Sequence, residues 1–206
     1  SNSVAADATP PVVTISNPTK FHHIPVVQQI YPNYARLQFS PFNGIEARAE
    51  YQVVSSAVIC GRFLLQNKSI LKEHFRFEWV GILNPLTSGQ GMFVISLENY
   101  HVLKGGSGEL SLICCLGSSA KPGAGPFASL GEEIELYPNA QVSIQWALAA
   151  GKTDQVANEL AQDALQRRFD AEKARIEIVN EVEELEISTG NPEWDAALAL
   201  SQRAAR

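Results

Sequence analysis

Two pairs of glutamates have a spacing at which acid–base chemistry has to be considered. Glu46 and Glu50 share one stretch of the chain, and Glu132 and Glu135 another. Paired carboxylates cleave glycosidic bonds when one is a proton donor, its pKa raised by burial, and the other is a base or nucleophile. Each pair here lies in a segment of alternating polarity whose polar side is expected to be wet. Solvated carboxyls stay ionised at neutral pH, so no catalytic role is assigned to them. The histidines are no more promising. His22 and His23 are adjacent and would face opposite ways on a strand, while His74 and His101 stand at no ligand spacing. No metal site and no cofactor are therefore expected.

Other motifs resolve in the same direction. Gly105-Gly106-Ser107-Gly108 lacks the Gly-Lys-Ser/Thr ending of a phosphate loop and reads as a hairpin turn. No nucleophile elbow occurs around any serine. Asn67-Lys68-Ser69 matches a glycosylation acceptor, a match that matters only in a secreted eukaryotic protein. Cys60, Cys114 and Cys115 are odd in number and lack metal-ligand spacing. Cys114 and Cys115 would point to opposite faces of a strand as packed thiols, and free buried thiols favour a reducing, cytoplasmic setting. Aromatic side chains could stack on sugar rings. Among Tyr31, Tyr34, Tyr51, Trp79, Tyr100 and Trp146, the two tryptophans have apolar neighbours and are expected in the core. Tyr34 and Tyr100 are the expected sugar contacts, and the loops Asn84 to Gln90 and Pro122 to Pro126 the expected substrate-side loops.

The elements that would carry these residues are mostly strands. Tyr34 to Phe39, Ile45 to Val53, Gly61 to Asn67 and His74 to Gly81 alternate or run apolar between turn signals. Met92 to Ser96, Leu110 to Leu116, Glu132 to Leu136 and Val142 to Trp146 supply four more. Turn clusters separate them, among them Asn84-Pro85, Ser88 to Gly91 and Lys121 to Pro126. Eight or more strands without intervening helices predict a two-sheet antiparallel sandwich, supersandwich-like, followed by C-terminal linker helices.

The pattern changes at Gly151. Thr153 caps a helical run reaching about Glu184, with Val156, Leu160, Ala164, Phe169, Ile176, Val179 and Val182 as its stripe. The phase drifts near Arg167-Arg168, so two helices with a bend are expected there. A further helix opens at Asn191, a good N-cap, with Pro192 in the first turn and Glu193 and Asp195 where the helix dipole favours negative charge. Its apolar positions Trp194, Ala197, Leu198, Ser201 and Ala205 need a partner surface. The expectation is that the chain is the N-terminal part of a longer protein.

Composition narrows the partners. Across 206 residues, 45% hydrophobic and 18% charged residues are ordinary for a globular protein, and a net charge of −6 argues against nucleic acid or an anionic membrane. No apolar run approaches the ~20 residues of a membrane span.

The order of parts resembles the N-terminal half of glycosidases with a six-hairpin α/α catalytic barrel, such as glycogen-debranching amylo-1,6-glucosidases and mannosyl-oligosaccharide glucosidases. The residues that carry the resemblance are Trp146 to Thr153 at the end of the sandwich and Ser188 to Leu198 at the start of the last helix, with Gly61 to Ser69 as a similar strand. It implies an N-terminal tail over 1–19, a sandwich over 20–150, a helical linker over 151–186 and the start of a barrel over 187–206. It implies a parent that hydrolyses α-linked oligosaccharides with inversion at the anomeric carbon or, as in sugar phosphorylases of the same layout, phosphorolyses them. The acid and base of such enzymes belong to barrel loops, so no catalytic residue is carried onto this chain. The implied partners are the C-terminal catalytic α/α barrel of the same protein and an oligosaccharide. A stand-alone carbohydrate-binding or protein-interaction module is the alternative.

Overall fold

The computed structural model describes residues 15, 17–82, 91–97, 99–117, 120–123, 125–182 and 188–204. The chain is mainly β, an antiparallel two-sheet sandwich with helices at its C-terminal end. The large sheet has eight strands. In chain order these are β1 (His23–Tyr31), β2 (Tyr34–Ser40), β3 (Ile45–Ser55), β4 (Val58–Asn67), β6 (Phe93–Ser96), β7 (His101–Ser107), β8 (Leu110–Leu116) and β11 (Gln141–Gly151). The small sheet holds β5 (Glu73–Val80), β9 (Lys121–Pro122) and β10 (Ser129–Leu136). Their spatial orders are β1-β2-β3-β4-β11-β8-β7-β6 and β5-β10-β9. Three helices follow: α1 (Asp154–Gln166), α2 (Phe169–Val182) and α3 (Pro192–Ala204).

Period-2 patterning decides which side of each strand is buried. On β5, Phe75, Phe77 and Trp79 turn inward while His74, Arg76 and Glu78 stay outside. They meet Ile45, Ala47, Ala49, Phe63, Ile144 and Trp146 from the large sheet, with Trp79 stacked on Trp146 at 4.8 Å. Both tryptophans are core residues, as their apolar neighbours predict. The opposite side of the large sheet carries a second core beneath the helices, built from Val58, Cys60, Ile113, Cys115, Ala147 and Ala149.

Two elements differ from the sequence expectation and a third follows it. Gly105, Gly106 and Ser107 belong to β7 and pair with β8, so the turn comes later, at Gly108-Glu109. The helical run breaks where the phase drift predicts, with Arg167 extended between α1 and α2. The buried side of α1 is an alanine stripe, Ala157, Ala161 and Ala164, while Val156 is 43% exposed. The cause is close approach: a Cβ built on Gly151 would lie 2.7 Å from the Ala157 amide nitrogen. Small side chains let the helix come down onto β11, β8 and β4. The expected strand over 12–15 and the loop over 84–90 fall, but for Ile15, outside the described residues.

Candidate functional site

Antiparallel register on the helix side of the large sheet gathers polar residues from three neighbouring strands. Glu50 of β3 sits between Arg36 of β2 and Arg62 of β4, and Gln52 between Tyr34 and Cys60. The first turns of α2 then lower Phe169, Asp170 and Lys173 onto this row. Glu50 is fully buried, so the wet face expected for β3 holds for Glu46 but fails at Glu50 and Gln52. The covering helix is the reason, and no strand pattern announces a helix more than a hundred residues away.

Every oxygen of the buried carboxylate is engaged. Tyr34 Oη donates to Glu50 Oε1 at 2.7 Å, and Lys173 Nζ lies 3.0 Å from the same oxygen. Arg62 Nε donates to Oε2 at 2.6 Å. Arg62 reaches on through Nη2 to Asp170 at 2.6 Å, and its guanidinium lies 4.5 Å over the Phe169 ring. Gln52 Nε2 donates to the Phe169 carbonyl at 3.3 Å. Two cations and two carboxylates balance, which is how a buried charge becomes tolerable.

The electrostatics follow from these contacts. Burial by itself pushes the Glu50 pKa up, but hydrogen bonds from Tyr34, Arg62 and Lys173 more than offset it and hold it below its usual 4.5. Burial, then the hydrogen bond to the Glu50 carboxylate, raises the Tyr34 phenol far above its usual value. Hydrogen bonding to Arg62 lowers the Asp170 carboxyl. Glu50 is thus ionised at neutral pH, closed to solvent and engaged by three donors. It has no proton to give as an acid and no face exposed to a substrate. What the cluster does is tie α2 to the sandwich.

The other sequence-selected residues scatter. Glu46 and Glu50 are four residues apart on one strand, about 13 Å, wider than either glycosidase geometry. Glu132 and Glu135 lie on opposite faces of β10, opposite Phe77 and His74 respectively, and Glu135 pairs with Lys72 at 2.7 Å. Tyr34, one of the two expected sugar contacts, is 3% exposed, with Lys173 of α2 over its ring and its hydroxyl engaged with Glu50. Tyr100 is half-buried and exchanges hydrogen bonds with Asn158 of α1, at 2.9 and 3.2 Å. The widely exposed aromatics among the described residues are others: Trp194 on α3, Tyr137 beside Lys72, Phe127 and Phe93. His22 and His23 do come together, rings edge to face at 4.4 Å, because His22 precedes β1 and escapes strand alternation. Among the described residues, no three His, Cys, Asp or Glu side chains converge as a metal site.

Asn67 is fully buried and serves the fold, its amide donating to the carbonyls of Leu71 and Leu136 at 2.7 and 2.9 Å. The three cysteines are free and buried. Cys114 faces the inter-sheet core and Cys115 the helix side, so they do point apart. Burial pushes the thiols of Cys60 and Cys115 up to about 11 and that of Cys114 up to about 12. Such thiols are unreactive at neutral pH. Among the described residues, no helix is long and apolar enough to cross a membrane.

No family model and no curated protein matches this chain. Solved structures similar to it include heparinase III with methylated lysines, at a TM-score of 0.44 and 8% identity over 64% of this chain. A second heparinase III structure aligns at 0.39 with 9% identity over 64%. A protein described as a kojibiose phosphorylase, from human microbiome, aligns at 0.39 with 13% identity over 70%. The alignments span 22%, 22% and 24% of those proteins, less than a quarter of each. At such scores the likeness assigns neither family nor activity.

Proposed function

We infer that this chain is the non-catalytic N-terminal β-sandwich of a glycoside hydrolase acting on α-linked oligosaccharides. Its role is to pack against and support a C-terminal catalytic α/α barrel of the same protein, in the cytoplasm. The observation that carries the reading is the state of Glu50. The most elaborate polar cluster among the described residues spends its carboxylate on locking a linker helix, leaving no acid, base or nucleophile poised for a substrate. Support also comes from the resemblance over Trp146 to Thr153 and Ser188 to Leu198, where the sandwich ends and the last helix begins.

The test is the size of the native protein in source cells, by immunoblot raised against this chain. A band far above 22.5 kDa is expected, and that full-length protein should hydrolyse or phosphorolyse α-linked oligosaccharides while this chain alone does not. A native band at 22.5 kDa, or turnover by the chain alone that survives repurification, overturns the reading and moves it to a stand-alone binding module.

A further inference from the structure

We propose that a cleft on the helix side of the large sheet, next to the Glu50 cluster, is a binding site for a short neutral oligosaccharide. Antiparallel register builds it. Gln38 of β2 stands opposite Arg48 of β3, which stands opposite Leu64 of β4. One row further from Glu50, Glu46 of β3 stands opposite Gln66 of β4, which stands opposite Gln141 of β11. Residues paired in this way share a face, and strand alternation gives Glu46 and Arg48 the same face as Glu50. These six side chains line a shallow cleft of about 370 Å³, counting the solvent at its mouth. It reaches from β2 to β11, three strand spacings or about 14 Å.

Two neighbouring parts of one face use their polar groups differently. Glu50, Arg62 and Gln52 spend theirs on Tyr34, Lys173, Asp170 and the Phe169 carbonyl. Among the described residues, Gln38, Arg48, Gln66 and Gln141 have no side-chain hydrogen bond or ion pair, and Glu46 has only Lys68, at 3.7 Å. Lysine and glutamate would keep such a face wet equally well. Three amides from three strands, set around one arginine, add groups that donate and accept at the same planar end.

Those donors and acceptors select the occupant. A glutamine amide accepts at Oε1 and donates at Nε2, so it can take two neighbouring hydroxyls of one sugar ring. Arg48 adds donors only and Glu46 acceptors only, a mixture that suits hydroxyl groups, which do both. A phosphate or sulfate is an anion that only accepts, and Glu46 would repel it. Leu64, half-buried at the floor, offers methyl groups to the C–H face of a ring. A wholly apolar ligand would strip water from five polar side chains and return no hydrogen bond. The cleft belongs to the sandwich alone, so it binds whether or not a catalytic barrel acts beside it.

The test titrates maltotriose, isomaltotriose and cellotriose separately into this chain and follows amide chemical shifts, beside inorganic phosphate and a capped tri-glutamine peptide. At least one trisaccharide is expected to shift the amides of β2, β3, β4 and β11 around the cleft saturably, with a dissociation constant of about 1 mM. Arg48→Met keeps the aliphatic stem, removes the guanidinium and is expected to weaken binding at least about tenfold. Gln66→Met removes one amide at nearly constant volume and is expected to weaken it about threefold or more. Neither side chain has a partner among the described residues, so both variants are expected to melt as the unaltered chain does. No saturable shift with any trisaccharide overturns the proposal. So do shifts that both variants leave unchanged, and so does phosphate or the peptide binding at the same amides as tightly as the sugar.

Discussion

The helices α1 and α2 lie on the same sheet and are held by opposite means. α1 rests on β11, β8 and β4 through Ala157, Ala161 and Ala164, closely enough that Gly151 has no room for a side chain. Its one ion pair with the sheet among the described residues stays at the rim, where Asp154 meets Lys104 and Ser111, and its inner polar contacts, Asn158 with Tyr100 and Gln162 with the Cys115 sulfur, are neutral. α2 buries Phe169 and Ile176 but is oriented by long charged side chains around Glu50. Apolar contact is non-directional, so an alanine stripe brings a helix close without choosing one rotation. A carboxylate needs its donors at set positions, and a helix turned away from Arg62 and Tyr34 would leave a charge buried without partners. The first helix supplies adhesion and the second supplies angle.

Breaking the polar contact should have the largest effect. Glu50→Ala leaves Arg62 and Lys173 crowded together without their shared anion. Because both retain some access to water and Arg62 keeps Asp170, the low end of the usual cost applies, about 3 kcal/mol, or some 10 °C in Tm. Hydrogen exchange should rise along α2 and not along α1. Acid should imitate this substitution. The Glu50 pKa is lowered on folding, so its stabilisation is complete above about pH 4.5 and is lost as pH falls through the lower folded value. α2 is expected to loosen first in an acid titration followed by exchange, while the alanine contact of α1 persists. Simultaneous loosening of both helices would erase the distinction.

The steric contact breaks by enlargement. Ala161→Leu forces extra methylenes between α1 and the sheet and should cost about 1–3 kcal/mol by thermal melting, with exchange rising along α1 first. Tyr34→Phe sharpens the comparison further. It removes one donor from Glu50 while keeping the ring, and should cost about 1.5 kcal/mol and shift the acid transition of α2 to higher pH. The smallest effect belongs to Arg175→Ala, whose own side chain is exposed although its partner Glu172 is half-buried. That pair should be worth less than about 0.5 kcal/mol, and a larger loss would mean that surface charge, rather than the buried cluster, orients the helix.

How much of this was legible depends on the range of the interaction. Alternation in Ile45 to Val53 and His74 to Gly81 places strands and inward aromatics, because strand geometry alone sends neighbours to opposite faces. Asn191 and Pro192 mark a helix start for equally local reasons, and Asn191 Oδ1 does accept from the Glu193 amide at 3.0 Å. β1 was not legible, since Pro25 and two register breaks interrupt its alternation. The Glu50 cluster was not legible either. Its pattern, polar at 46, 48, 50 and 52, is that of a solvated face, and Arg36 and Arg48 on the same side remain half-buried or exposed.

The sequence by itself determined the class of fold, the change from strand to helix at Gly151 and the absence of a recognisable catalytic motif. Each of these follows from contacts between residues close in the chain. Only the tertiary structure decided which glutamate is buried and which tyrosine is covered. Those outcomes depend on what lands on a face, here a helix brought from position 169 onto position 50, and no local pattern records that.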